Sequence, residues 1–218
     1  MAPGPKSRDA YSNMIRAKEK RERALGERLG IKGERCNSPK CAAVRKPYRP
    51  GAHGQSRRRG QLSEYGRQLN EKQKFKVSYG LKERNLYQLF LKANKDPGST
   101  ATKLLELLEK RLDNVIFRLG FAPSRSMARQ LISHGHILVN KRKVRSPGLQ
   151  VKKDDVVSLR PESSSKGAFA KLRETLKKHN LPGWLILDVE KLEGRILSDP
   201  KDLEAPFEIN LLVESFSK

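Results

Sequence analysis

Residues 111–145 read RLDNVIFRLGFAPSRSMARQLISHGHILVNKRKVR. Leu112, Val115, Ile116 and Leu119 recur at the three-and-four spacing of a helix buried along one face, and Gly120 closes that helix. A Pro-Ser turn follows, with Ser124 placed to cap a second helix, SRSMARQLISHG, that stops at Gly135. Met127, Ala128, Leu131 and Ile132 form its apolar stripe, while Arg125 and Arg129, four residues apart, share the opposite, solvent-side face. HILVN and VVSLR read as short strands joined by the basic turns of NKRKVRSPG. Cations are thereby presented on one side of a small rigid fold. That arrangement suits binding to a structured RNA backbone, not bond chemistry.

Upstream, the helix that ends at Gly120 is predicted to begin at Ser99 or Thr100 and to run unbroken through ATKLLELLEKRLDNVIFRLG, with Leu104, Leu105 and Leu108 extending its core face. Asp96-Pro97-Gly98 stops the helix before it, KERNLYQLFLKANK, which buries Leu86, Leu89, Phe90 and Ala93. Ser63 is placed to cap an earlier helix reaching Gly80. Downstream of a Ser-rich SSSKG, AKLRETLKKHNL reads as a helix, and WLILDV and EINLLVESF as apolar strands. The expected class is α+β, helix-rich, with a small sheet and no internal repeat.

Charge is uneven along the 218 residues. Residues 1–60 carry a net +12, residues 61–160 another +12, and residues 161–218 a net −1, within an overall +23. Such an excess points to a polyanion as partner. A membrane surface fits poorly, because no basic amphipathic helix with a Trp/Phe/Leu face is present, and no apolar run nears the roughly 18–20 residues of a span. The start, MAPGPKSRDAYSNMIRAKEKRER, lacks an apolar core of the secretory kind, so a cytoplasmic location is expected. Two cysteines make no disulfide framework. Few aromatics argue against broad base stacking. Residues 1–60, broken in their second half by Pro39, Pro47, Pro50, Gly51 and Gly54, read as an extended or loosely helical basic arm that orders against a partner.

With GERCNSPKC (33–41), RPGAHG (49–54), LSEYGRQLNEKQK (62–74), the 111–140 block and LLVESFSK (211–218) in one order, the chain resembles the bacterial-type fourth protein of the small ribosomal subunit. The resemblance implies a basic N-terminal arm over 1–60, a helical domain over 61–108 and 171–218 with C-terminal strand elements, and a small two-helix/short-sheet RNA-binding module over 109–170. It implies a primary binder of small-subunit ribosomal RNA at a multi-helix junction, early in assembly and close to the path by which messenger RNA enters. It also implies contact with the fifth small-subunit protein and a part in translational accuracy; the near-neutral last third suits a protein-facing side. Some members join an early C-x-x-C to a later cysteine pair to hold a metal. Cys36 and Cys41 match the later pair, but no cysteine lies among residues 1–35, so no metal or other cofactor is expected.

The expected RNA contacts are Arg125 and Arg129 on the helix; Lys141, Arg142 and Lys143 on the turn after Asn140; His134 at the helix end; and Arg45, Lys46, Tyr48, Arg49, Arg57, Arg58 and Arg59 in the arm. Tyr65 reads either as core or as an RNA-facing hydroxyl. Arg111 and Arg118 read either as contacts or as partners of an acidic neighbour such as Asp113. Arg111-Leu112-Asp113 superficially matches the segment from which pseudouridine synthases take their aspartate nucleophile, but no catalytic domain surrounds it, and P-loop, G-x-S-x-G and H-E-x-x-H motifs are missing. No enzymatic activity is expected. A DNA-architectural role fits less well than RNA binding.

Overall fold

Ser63 has extended backbone, and its Oγ accepts a bond of 3.2 Å from the Gly66 N–H, one of the unpaired donors at a helix start. The computed structural model describes residues 18–55, 62–164, 169, 172–177, 179–200 and 207–217; Arg57, Arg58 and Arg59 lie outside them. Short helices α1 (Lys18–Leu25), α2 (Glu34–Asn37) and α3 (Ala42–Arg45) precede α4 (Glu64–Ser78), α5 (Glu83–Ala93) and α6 (Thr100–Glu109). The described part of the arm packs against the helical domain. Its α1 packs on α3 and α4, and Glu22, Cys36 and Cys41 are buried. The Glu22 carboxylate accepts the Ile31 N–H at 3.0 Å, which folds the chain after α1 back upon it.

The expected unbroken helix over 100–120 is two helices, α6 and α7 (Leu112–Arg118). Arg111 between them is extended, and the backbone there pairs with residues 147–151 instead of continuing the helix: Arg111 bridges Gln150, Leu112 N–H donates to the Leu149 carbonyl, and Val151 N–H to that of Lys110. The apolar periodicity crosses the break unchanged, so it could not reveal it. Helix α8 (Arg125–Ser133) follows, with Ser124 Oγ accepting from Met127 N–H at 3.3 Å. Ala128 and Ile132 are fully buried, but Met127 is 43% exposed, so the buried stripe is narrower than expected.

Strands β1 (Ile137–Val139), β2 (Arg142–Lys143) and β3 (Val156–Leu159) form the expected small sheet, extended by β4 (Leu185–Asp188) and β5 (Glu193–Ile196) in the antiparallel order β2-β1-β3-β5-β4. Short helices α9 (Pro161–Ser164) and α10 (Leu172–Lys177) lie between β3 and β4. One core joins Leu112 and Ile116 of α7, and Leu119 at its C-cap, to Ile132, Val157, Leu176, Trp184 and Ile196. Leu172, Leu176, Trp184, Leu185, Leu192 and Ile196, from the stretch expected in the helical domain, pack in this core. Strand β5 escaped notice because half of EGRI is charged; only Gly194 and Ile196 face inward.

The chain end corrects a second assignment. EINLLVESF is no strand but helix α11 (Ile209–Ser217). Ile209, Leu212, Val213 and Phe216 fall at helical spacing and close the second core, among Phe75, Tyr79, Leu86, Leu104 and Leu108. Leu212 is fully buried there; removing such a side chain costs about 2–5 kcal/mol, which makes this helix a structural part of the helical domain.

Candidate nucleic-acid interface

Asn140 and Lys141 have φ of 49° and 64°, the left-handed pair of a two-residue type I′ hairpin between Val139 and Arg142. Asn140 suits this position for a second reason. Its Oδ1 accepts the Val156 N–H at 2.9 Å and its Nδ2 donates to Asp155 at 2.8 Å, locking the hairpin to β3. At the other side, Gly135 (φ 76°) ends α8, with its N–H on the Ile132 carbonyl and the His136 N–H on that of Leu131. A Cβ at Gly135 would lie 2.2 Å from Lys143 Cε, so the lysine stem passes directly over the helix end. Lys141, Arg142 and Lys143 are all exposed, and none is paired with a carboxylate among the described residues. His134 is exposed beside them as the helix C-cap, whereas His136 is half-buried with Nδ1 2.8 Å from Ser163 Oγ.

Arg125 and Arg129 do not share a solvent-side face. Both turn into the junction between module and helical domain. Arg129 Nε donates to Asp113 Oδ2 at 2.7 Å, its NH2 to the Tyr79 carbonyl at 2.5 Å, and its NH1 to the Gly80 carbonyl. Arg125 Nε donates to Asn114 Oδ1 at 2.7 Å, and its guanidinium sits 4.5 Å from the Tyr79 ring and 4.7 Å from that of Phe117. The physical reason is a cluster of buried acceptors on α6 and α7: Glu109, Asp113 and Asn114 are each at most 2% exposed, and buried acceptors demand donors. Arg111 and Arg118 go the same way. Arg111 forms a bidentate pair with Asp113, and Arg118 one with Glu109 at 2.9 and 3.1 Å.

Tyr79 Oη and Asn114 Nδ2 complete the Glu109 site, each donating at 2.8 Å. Burial alone would raise the Glu109 pKa, but the bonds and charge of Arg118, together with Arg125, outweigh it and hold the carboxyl below its usual range. Burial, then the facing carboxylate, pushes the Tyr79 phenol far up, so it stays a donor. Tyr79, Glu109 and Asn114 were missing from the sequence reading. The available signal was two polar residues, Glu109 and Asn114, inside a run whose neighbours are core. Asp113 accepts from arginine on both oxygens while buried, which leaves it no freedom to act as a nucleophile.

In the arm, Arg45, Lys46 and Arg49 are exposed around a half-buried Tyr48. Arg23 holds that loop, with Nε on the Lys46 and Tyr48 carbonyls at 2.8 and 3.1 Å and its guanidinium 5.1 Å from the Tyr48 ring. Tyr65 is 70% exposed, which makes it a surface hydroxyl and not core. Cys36 and Cys41 are buried free thiols; Cys36 Sγ accepts the Lys32 N–H at 3.3 Å, and burial pushes its pKa up, away from the thiolate a metal requires. His53 is exposed, and among the described residues no three His, Cys, Asp or Glu side chains gather as metal ligands would. No helix of the described residues is long and apolar enough to cross a membrane.

Residues 13–109 match the family described as the ribosomal protein S4/S9 N-terminal domain, and residues 110–157 match the S4 domain. The two matches meet at Lys110, where the helix breaks. Small ribosomal subunit protein uS4 of Halothermothrix orenii is 45% identical over 198 residues, and that of Caldicellulosiruptor bescii 46%, each over 90% of this chain and 94% of the relative. The uS4A protein of Alkaliphilus oremlandii is 46% identical over the same shares. The likeness spans the arm, the helical domain and the module, and the chain belongs to the small ribosomal subunit protein uS4 family.

Proposed function

We propose that this protein is a structural, non-enzymatic constituent of the small ribosomal subunit that binds small-subunit ribosomal RNA on the cytoplasmic ribosome. The observation that carries this is the division of labour among cations. Arg111, Arg118 and Arg129 are taken up by buried carboxylates and Arg125 is anchored through its Nε on Asn114, making an internal joint, while the hairpin of Lys141, Arg142 and Lys143 stands exposed. Fixed cations of this kind take phosphates without a conformational search.

The finer reading has the binding site at a multi-helix junction, met early in assembly. Lys141, Arg142, Lys143, His134, Arg45, Lys46, Arg49, Tyr48 and Tyr65 make the contacts, with Arg57, Arg58 and Arg59 adding to them and Arg125 and Arg129 acting chiefly as positioning residues. Family resemblance supports a place near the incoming messenger RNA and contact with the fifth small-subunit protein, with an effect on accuracy. The exposed Ile186 and Leu197 of the near-neutral β4–β5 region favour a protein partner on that side.

A filter-binding titration against small-subunit ribosomal RNA containing the junction, with a junction-disrupted control, tests this. With ~6–10 phosphates neutralised, affinity should fall roughly three to five decades between 50 and 200 mM salt, and only the intact junction should bind tightly. Equal binding to both RNAs would reduce the protein to a generic polycation.

A further inference from the structure

A cleft of about 410 Å³ opens where the end of α1 meets α7, α8 and Phe207, well within the roughly 300–1,000 Å³ of small-ligand sites. Arg28, Arg118 and Arg125 line it, with Phe117 and Phe207 as its aromatic surfaces. Its one acidic lining residue, Glu27, is already held by Lys74 at 2.5 Å. Arg118 is likewise neutralised by Glu109. That leaves Arg28 and Arg125 as the cations facing the opening.

Arg125 is the telling residue. Its Nε is bonded to Asn114, yet its two terminal amino groups make no hydrogen bond to the protein among the described residues, although the guanidinium is wedged between two rings. Arg125 itself lines the cleft. Arg28 uses one NH2 on the Cys36 carbonyl at 2.8 Å and keeps the rest of its fork free. A guanidinium desolvated by aromatic rings and short of acceptors is a site for an anion.

We propose that this cleft takes one unstacked nucleotide of the bound RNA, its phosphate on Arg28 and Arg125 and its base against Phe117 and Phe207. The inference rests on the RNA-binding reading above and assigns it a pocket apart from the Lys141–Lys143 hairpin. Splayed bases at RNA junctions are held in this manner, by aromatic and guanidinium planes.

Single abasic residues scanned through the junction RNA, read by filter binding with the full chain, test the proposal. One position should exist where removing the base weakens wild-type binding about tenfold but leaves Phe117→Leu binding unchanged. Arg28→Gln, an exposed substitution that decides the matter even if Phe117→Leu fails to fold, should lower the salt slope by about one. A wild-type slope in Arg28→Gln, or no abasic position that distinguishes wild type from a folded Phe117→Leu, overturns the proposal. Failure of the wild-type chain to bind the intact junction would instead overturn the RNA-binding reading itself.

Discussion

Arg129 on α8 lies with its Nε 2.7 Å from Asp113 Oδ2 on α7, and the same guanidinium reaches the carbonyls of Tyr79 and Gly80 beyond the end of α4. One side chain thus joins both helices of the module to the helical domain. The salt bridge is asymmetric: Asp113 is buried and serves two arginines, whereas Arg129 is partly exposed and has two further acceptors.

That asymmetry predicts unequal losses. Asp113→Ala strands the buried Arg111 charge and should cost about 3–5 kcal/mol in urea unfolding. Arg129→Met leaves Asp113 with the two bonds from Arg111 and should cost roughly 1–3 kcal/mol. The double variant should lose much less than the two added together; strict additivity would mean that the pair does not interact.

Acid should expose the Glu109 site. A carboxyl whose folded pKa is depressed stabilises the fold above its unfolded value, near 4.5, and loses that contribution as pH falls through the folded pKa. Stability of the wild type should therefore decline below about pH 4.5. Glu109→Gln should be less stable at pH 7, with the deficit shrinking as pH is lowered through that window. A deficit constant from pH 7 to pH 3, measured by urea unfolding across the range, would show that the Glu109 charge is not what stabilises the junction.

Much of this was legible in the sequence, and the failures share one cause. Caps at Ser63 and Ser124, the stop at Gly135 and the strands of HILVN and VVSLR depend on neighbours a few residues away, and each stands where local chemistry puts it. The break at Arg111 depends on backbone pairing with residues 147–151, some forty positions off. The direction of Arg125 and Arg129 depends on acceptors contributed by α7 and by the Tyr79 and Gly80 carbonyls beyond the end of α4. EINLLVESF was misread because its apolar residues satisfy strand and helix alike over so short a run, and only the groove formed by α4, α5 and α6 selects the helix.

Gly135 links fold to site. Alanine there must adopt φ near 76°, at a cost of about 1–2 kcal/mol, and its Cβ must displace the Lys143 stem that crosses at 2.2 Å. The lysine can swing aside, so the protein should fold, with a loss of that order in unfolding experiments. RNA affinity should fall as well, because Lys143 no longer stands where the hairpin holds it. Gly135→Ala combined with Lys143→Ala should bind no more weakly than Lys143→Ala alone; a further loss of affinity would show that Gly135 acts through something other than this lysine.

The two kinds of cation should part cleanly in experiment. Arg142 is exposed on β2 with no carboxylate partner among the described residues, so Arg142→Gln should leave the unfolding free energy within about 0.5 kcal/mol of wild type. Its effect should fall on RNA: a salt slope lower by about one, with affinity weakened evenly across junction variants that keep the same shape. Arg129→Met should do the reverse, lowering stability while the slope of the folded protein stays near that of wild type. If Arg129→Met instead lowers the slope and leaves stability intact, the guanidinium leaves Asp113 for a phosphate when RNA binds, and the internal joint is remade in the complex.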